Sequence, residues 1–282
     1  MQDLLLPSEV EFTQGESDTS ADLTIKPCFF GYGTTLGNAL RRVLLSSLPG
    51  SAVEAFKIKG VQHEFTSVEG AKEDVVQIIL NLKQLAVKMH VDEDVVLKLR
   101  KKGIGELKAK DIEANANVEI INKDLVLATL TSDKEFEMDI IVGQGRGFKP
   151  AEDKDKQDFD LGTIVIDSIY NPVKDVGYNI EYIRVGDVTN YEKLNLHIET
   201  NGVVTPRQAI NQATEIIMDH FNIITNTLGG PDMSDAVDDV VEETAEQVDE
   251  VEDVEEKKVE KKPKAKTKKK KVEKVEYEAS KK

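Results

Sequence analysis

Tryptophan is missing from these 282 residues, cysteine occurs once, and aromatic residues make up only 5% of the chain. A single thiol, Cys28, cannot build a disulfide framework or a cysteine-ligated metal centre, and it suits a reducing compartment. No stretch approaches the roughly 20 apolar residues needed to cross a bilayer as a helix. The opening residues, Met1, Gln2 and Asp3, lack the basic lead and apolar run of a secretory signal. Cations are in deficit: Lys and Arg number 37 against 53 Asp and Glu, a net charge of −16. A chain coated throughout for phosphate binding is therefore excluded. The histidines, His63, His90, His197 and His220, are scattered without an i, i+4 pair, so they do not read as a metal site. The composition is that of an acidic, soluble, cytoplasmic protein with no membrane partner.

The charge that is present is unevenly placed. Residues 229–256 carry 13 acids and no base, and residues 257–282 carry 13 Lys against 4 Glu. No Leu, Ile, Phe or Trp follows Leu228. Such a segment cannot bury enough surface to offset the roughly 1–2 kcal/mol per residue that backbone ordering costs. The expectation is a disordered tail over 229–282, acidic and then basic, behind a body of about 228 residues, enough for two modest cores.

Three helices are legible in the body. Over 34–48, Leu36, Ala39, Leu40, Val43, Leu44 and Leu48 recur at helical spacing, and Pro49-Gly50 stops the run. A second begins with Glu73 and Asp74 in its first turn and carries Val75, Val76, Ile79 and Leu82, with Leu85 as a further candidate for the stripe. In the third, Thr205, Pro206 and Gln208 form a capping box with proline at the first helical position, and Gly229-Gly230-Pro231 ends it. Its stripe runs through Ile210, Ala213, Ile217, Phe221, Ile224 and Leu228, and Ile216 and Ile223 widen it beyond what one sheet face normally covers. Either the helix is sandwiched within its own chain or a second molecule covers part of it, and its place at the end of the body favours self-association. Alternating patterns predict strands over 53–58, 95–99, 118–121, 125–130, 136–142, 164–169, 178–185 and 194–199. The fold class is α+β, and the Lys-dotted acidic stretch 151–160 reads as a surface loop.

The chemical motifs are weak. Gly31, Gly33 and Gly37 precede a helix, but their spacing is one residue longer than a dinucleotide loop and no βαβ unit follows, so a tight turn at close quarters is the simpler reading. Gly143, Gly145 and Gly147 around Arg146 lack a following Lys-Ser/Thr and suggest a hairpin tip. Ser46-Ser47 lies within a helix, not on a nucleophile elbow. The pair Arg41-Arg42 is either two solvated flank residues or, for at least one of them, part of a partner surface, since Arg is enriched at interfaces. Spacing does not choose between these.

Five segments change the picture. FGYGTTLGNALRRVLLSSLPG (30–50) closely resembles the first-helix region of the bacterial RNA polymerase alpha subunit family. The likeness continues in GVQHEFTSVEGAKEDVVQIILNLK (60–83), GQGRGF (143–148), YNPVKDVGYNIEYIRVG (170–186) and ETNGVVTPRQAI (199–210), in the family's order and over essentially the whole body.

The resemblance implies a discontinuous dimerisation domain from residues 1–50 and 177–228, and an inserted strand-rich domain over 51–176. Leu36, Leu40, Val43 and Leu44 of the first helix, with Ile210, Ile217, Phe221, Ile224 and Leu228 of the third, would form the dimer interface. In this family the dimer assembles the polymerase: one copy docks the beta subunit, the other beta-prime, and omega and sigma join the holoenzyme. By motif match, Arg42 is expected to dock beta, and Lys83 lies in the second-domain region used towards the large subunits. Nucleotidyl transfer and its magnesium would belong to those subunits, leaving this chain a non-catalytic subunit with no cofactor of its own.

The tail departs from the pattern, because a typical member ends in a small helical domain that touches upstream promoter DNA and activators. Here that domain is expected to be absent. The lysine run Lys268, Lys269, Lys270 and Lys271 either contacts DNA phosphates without reading bases or pairs with the acidic half of the tail. The assembly subunit, acting in the cytoplasm at the nucleoid, leads the readings. A nucleotide-binding enzyme and a charged-tail scaffold or chaperone are the alternatives.

Overall fold

The computed structural model of the chain describes residues 5–15, 17–154 and 159–228. The expected disordered tail, with the proposed DNA contacts at Lys268, Lys269, Lys270 and Lys271, lies outside the described residues. Residues up to Phe221 form one compact unit, and the described part of a second, from Asn222, is the end of the closing helix.

The chain opens with β1 (Glu9–Gln14) and β2 (Ser20–Cys28), then α1 (Tyr32–Ser46) and β3 (Pro49–Ile58). Next come α2 (Val75–Leu82), β4 (Val87–Met89), β5 (Val95–Lys102), β6 (Gly105–Lys108), β7 (Val118–Ile120) and β8 (Val126–Leu130). The long β9 (Glu135–Arg146) is followed by the short β10 (Phe148–Lys149), β11 (Ile164–Val165) and β12 (Ser168–Ile169). Two 13-residue strands, β13 (Val173–Val185) and β14 (Val188–Thr200), lead into α3 (Pro206–Thr227). The class is the α+β mixture expected, with helices set against largely antiparallel sheets.

Two hydrophobic cores organise these elements. In the first, an antiparallel sheet ordered β1-β2-β14-β13 sets Leu23 opposite Leu196 and Ala21 opposite Ile198. α1 lies on this face through Leu40 and Leu44, and α3 contributes Ala209 and Ala213. In the second, the sheet β11-β3-β9-β5 pairs Phe56 with Ile140 and Leu99 with Met138. Val75, Ile78 and Leu82 of α2 belong to that core. Fully burying one such aliphatic side chain contributes about 1.5–3 kcal/mol. Leu48 belongs to the first core and Val53 to the second, and the chain returns between Ile166 and Val173.

Several local expectations change. α2 is only eight residues long, with Asp74 as its N-cap accepting from the Gln77 amide (2.8 Å). Its inward residue is Ile78, whereas Val76 is exposed. The glycines around Arg146 are not a hairpin tip, for β9 runs on to Arg146, and Gly145 and Gly143 pair with Gly50 and Ala52 of β3. A Cβ on Gly145 would stand 2.8 Å from the Tyr170 ring, so the close approach of that ring demands glycine. The run 164–169 is broken into β11 and β12. Within the stretch read as a surface loop, Lys154 is buried. No helix among the described residues is long and apolar enough to cross a membrane.

Candidate functional site

α1 has two working faces. Gly33, Gly37, Leu40 and Leu44 turn towards the sheet, where a Cβ on Gly37 would come within 2.9 Å of Leu194 and Tyr178. Small residues at one end of this face and leucines at the other let the helix settle on the twisted strands. Rotated from it, Leu36, Ala39 and Val43 are half-buried.

Beside that second face runs an apolar groove of about 620 Å3 within the compact unit. Phe12, Leu23 and Ile25 line it from the sheet, Leu36, Ala39 and Leu40 from α1, and Ile210, Ile217 and Phe221 from α3. The Arg207 guanidinium sits 4.9 Å from the centre of the Phe12 ring, a cation–π contact. α3 starts here because Thr205 and Gln208 satisfy each other's amides reciprocally, at 3.2 and 3.3 Å. Only Pro206, Ala209 and Ala213 of α3 are buried, while Met218 and Phe221 stand 46% and 61% exposed. In the last turns Ile223, Ile224 and Leu228 are exposed as well. Apolar surface of this extent on a closing helix marks an interaction face.

The nine residues expected at a self-association interface are thus dispersed. Leu36, Leu40, Ile210, Ile217 and Phe221 line the groove, and Val43 packs half-buried against the first core. Leu44 is wholly enclosed by its own chain and has no surface to offer a partner, so it supports the helix from beneath. Ile224 and Leu228 are exposed on the final turns of α3.

The two expected docking cations sit in opposite circumstances. Arg41 and Arg42 are both exposed on the outer side of α1, and among the described residues neither has an ion-pair partner. Lys83 is the C-cap of α2, and its ammonium lies 2.9 Å from the Asp167 carboxylate. Asp167 also accepts from the Ala151 amide at 2.9 Å. The Lys83 hydrogen bond, helped by that amide, holds the Asp167 carboxyl below the usual range.

The glycine-rich start of α1 holds an anion after all, but an internal one. The buried Glu192 carboxylate accepts from the amides of Gly31 (3.0 Å) and Gly33 (2.9 Å). It occupies the position an incoming phosphate would need at that helix end, which removes the basis for a dinucleotide site. Gly31 adopts φ +85°, a left-handed turn that only glycine takes readily, and a Cβ on Gly33 would stand 2.8 Å from Glu192. The sequence held a signal for this carboxylate: extending the Leu194, Leu196, Ile198 alternation backwards lands Glu192 on the buried face.

Comparison with known proteins accords with this arrangement. Residues 56–171 match the family described as the RNA polymerase Rpb3/RpoA insert domain, which spans nearly the whole second core. The DNA-directed RNA polymerase subunit alpha of Symbiobacterium thermophilum is 47% identical over 208 residues, covering 74% of this chain and 66% of its own. The subunit of the same name from Desulforamulus reducens is 48% identical, covering 74% and 67%, and that from Alkaliphilus oremlandii is 44% identical, covering 79% and 68%. The match thus spans about two thirds of the length of these curated relatives. On this evidence the chain belongs to the family of bacterial DNA-directed RNA polymerase alpha subunits.

Proposed function

We propose that the chain is a non-catalytic assembly subunit of a multisubunit, DNA-dependent RNA polymerase. Two copies associate, and the pair presents one docking face to the beta subunit and another to beta-prime. The observation that carries this reading is the open groove between the sheet, α1 and α3, on a chain whose α3 also bears exposed Met218 and Phe221. A helix of 22 residues, at 1.5 Å each, is roughly 33 Å long and can span a dimer seam. Burying what remains exposed of these two side chains on each copy would add about twice the 1.5–3 kcal/mol typical of one full burial. The part that self-associates is the first core with α3, and residues 51–176 form the inserted domain. Nucleotidyl transfer and its magnesium belong to the large subunits, and omega, sigma and promoter DNA are met through the assembled enzyme.

Sedimentation of the full chain, followed by co-expression with the beta subunit and measurement of stoichiometry, tests the proposal. The expected result is a dimer at micromolar loading that captures a single beta chain. Phe221→Glu is expected to shift the chain to single copies while its melting temperature, read at low concentration, changes little. A well-folded wild-type chain that stays solitary under these conditions would overturn the reading.

A further inference from the structure

β3 is interrupted at Glu54. Val53 pairs with Val142 and Ala55 with Ile141, so Glu54 is the extra residue of a bulge and its carbonyl leaves the ladder. That carbonyl accepts instead from the Ile166 amide (3.0 Å) and from the Lys154 ammonium (3.2 Å). Lys154 is only 5% exposed. Its Nζ also donates to the Ile166 carbonyl (2.8 Å) and the Ser168 hydroxyl (2.5 Å). Ser168 sends its own proton to the Val53 carbonyl at 2.7 Å, which leaves its lone pairs for the lysine. An ammonium has three protons, and here each finds an acceptor. Two of those acceptors, Ile166 and Ser168, flank Asp167. The residue between the two held points is the one that grips Lys83 at the end of α2.

We propose that Lys154 is a positioning residue for the docking face that carries Lys83: its buried ammonium ties the 164–170 strap to the β3 bulge and so fixes Asp167 against Lys83. This rests on the reading of Lys83 as a large-subunit contact. Asp167 takes one proton of the Lys83 ammonium, and the other two suit a carbonyl or carboxylate on the partner. Without the tie the strap keeps its short pairings to β3 and β10, the Ile166–Glu54 and Ser168–Val53 hydrogen bonds and the Ala151 amide on Asp167. It loses the ammonium that joins Ile166 and Ser168 across Asp167, so the carboxylate is aimed at the lysine less tightly.

The test uses the full chain carrying Lys154→Met, Lys83→Met, or both, with Ser168→Ala as a milder variant that keeps the lysine. Two quantities are read: titration of the Asp167 carboxyl by NMR with labelled aspartate, in the chain alone, and the affinity of the chain for the large subunits. Lys154→Met is expected to move the Asp167 titration up towards the ordinary value and to weaken capture about tenfold, with the double variant no weaker than Lys83→Met alone, as befits residues acting through one contact. Ser168→Ala should move the titration the same way by less, and it serves if Lys154→Met does not fold. Capture that falls with Lys83→Met but not with Lys154→Met overturns the proposal, and so do effects that simply add. If Lys83→Met leaves capture intact, the docking reading of Lys83 fails instead. The Asp167 titration in Ser168→Ala, which loosens the tie but keeps the Lys154 charge that itself lowers the Asp167 carboxyl, then decides the positioning claim alone: a shift upholds it and an unmoved value overturns it.

Discussion

Asp167 shows how one side chain links charge to stability in this protein. Its carboxyl is held below the usual range, first by the Lys83 hydrogen bond and then by the Ala151 amide. A carboxyl depressed on folding adds stability that is fully present above its unfolded value of about 3.9, and that is lost as pH falls through the lower folded value. The pair is partly open to solvent, with side-chain exposures of 25% and 39%, so screening keeps its contribution modest. Asp167→Asn is therefore expected to lower the melting temperature at neutral pH by a small, salt-sensitive amount. The gap between variant and wild type should close as the pH is taken below about 3.9, the ordinary aspartate value. A gap of the same size at all pH values would mean that Asp167 acts through shape and not through charge. Burial pushes the Lys154 amine down, and the Glu54 carboxylate only partly opposes it. The amine that aims Asp167 is therefore held by hydrogen-bond geometry more than by net charge attraction.

At the scale of elements, legibility followed periodicity and failed where a neighbour decided the outcome. The cap of α3 was readable because Thr205, Pro206 and Gln208 act within one turn. The inward face of α2 was not, since Val76 and Ile78 are equally apolar and only the sheet beneath selects Ile78. β1 and β2 carry the same alternation as the other strands, with Val10 and Phe12 set between Glu9, Glu11 and Thr13, and Ala21, Leu23 and Ile25 set between Asp22, Thr24 and Lys26, so a signal for both was present in the sequence. The groove follows from tertiary placement of three separate segments, so the sequence showed its lining on α1 and α3 but not the sheet residues Phe12, Leu23 and Ile25. Gly37 lies inside α1 and not in the tight turn expected before it, and its approach to the sheet yields a prediction with a defined sign. Gly→Ala inside a helix gains about 1 kcal/mol in propensity, whereas overfilling a packed contact costs about 1–3 kcal/mol. At Gly37 the new methyl would stand 2.9 Å from both Leu194 and Tyr178, so the steric cost wins. Gly37→Ala is expected to lower the melting temperature. An unchanged or higher value would show that α1 is free to lift from the sheet.

For the whole molecule, the proposed assembly places two identical chains against two different large partners. A two-fold pair buries the same patch on both copies, so each large subunit must use surface outside that seam. Arg42 meets this requirement, being exposed on α1 and not among the residues of that helix that line the groove, such as Leu36, Ala39 and Leu40. If only one copy uses its Arg42 for the beta subunit, the two copies are interchangeable before docking and distinct after it. A mixed dimer with one Arg42→Ala chain then still offers one intact face, and loses only the twofold choice of orientation, about 0.4 kcal/mol at room temperature. A dimer with both arginines removed loses the contact itself, which for an interface arginine is about 1–3 kcal/mol, or roughly 5- to 150-fold in affinity. Differently tagged chains allow the mixed species to be isolated and its capture of beta measured beside both parents. A twofold loss in the mixed dimer and a much larger one in the double variant fit one docked arginine per assembly. Equal graded losses at each substitution would mean that both copies contact beta, and undiminished capture by the double variant would remove Arg42 from the interface. Sedimentation should give the same dimer for all three, because no part of the groove is altered.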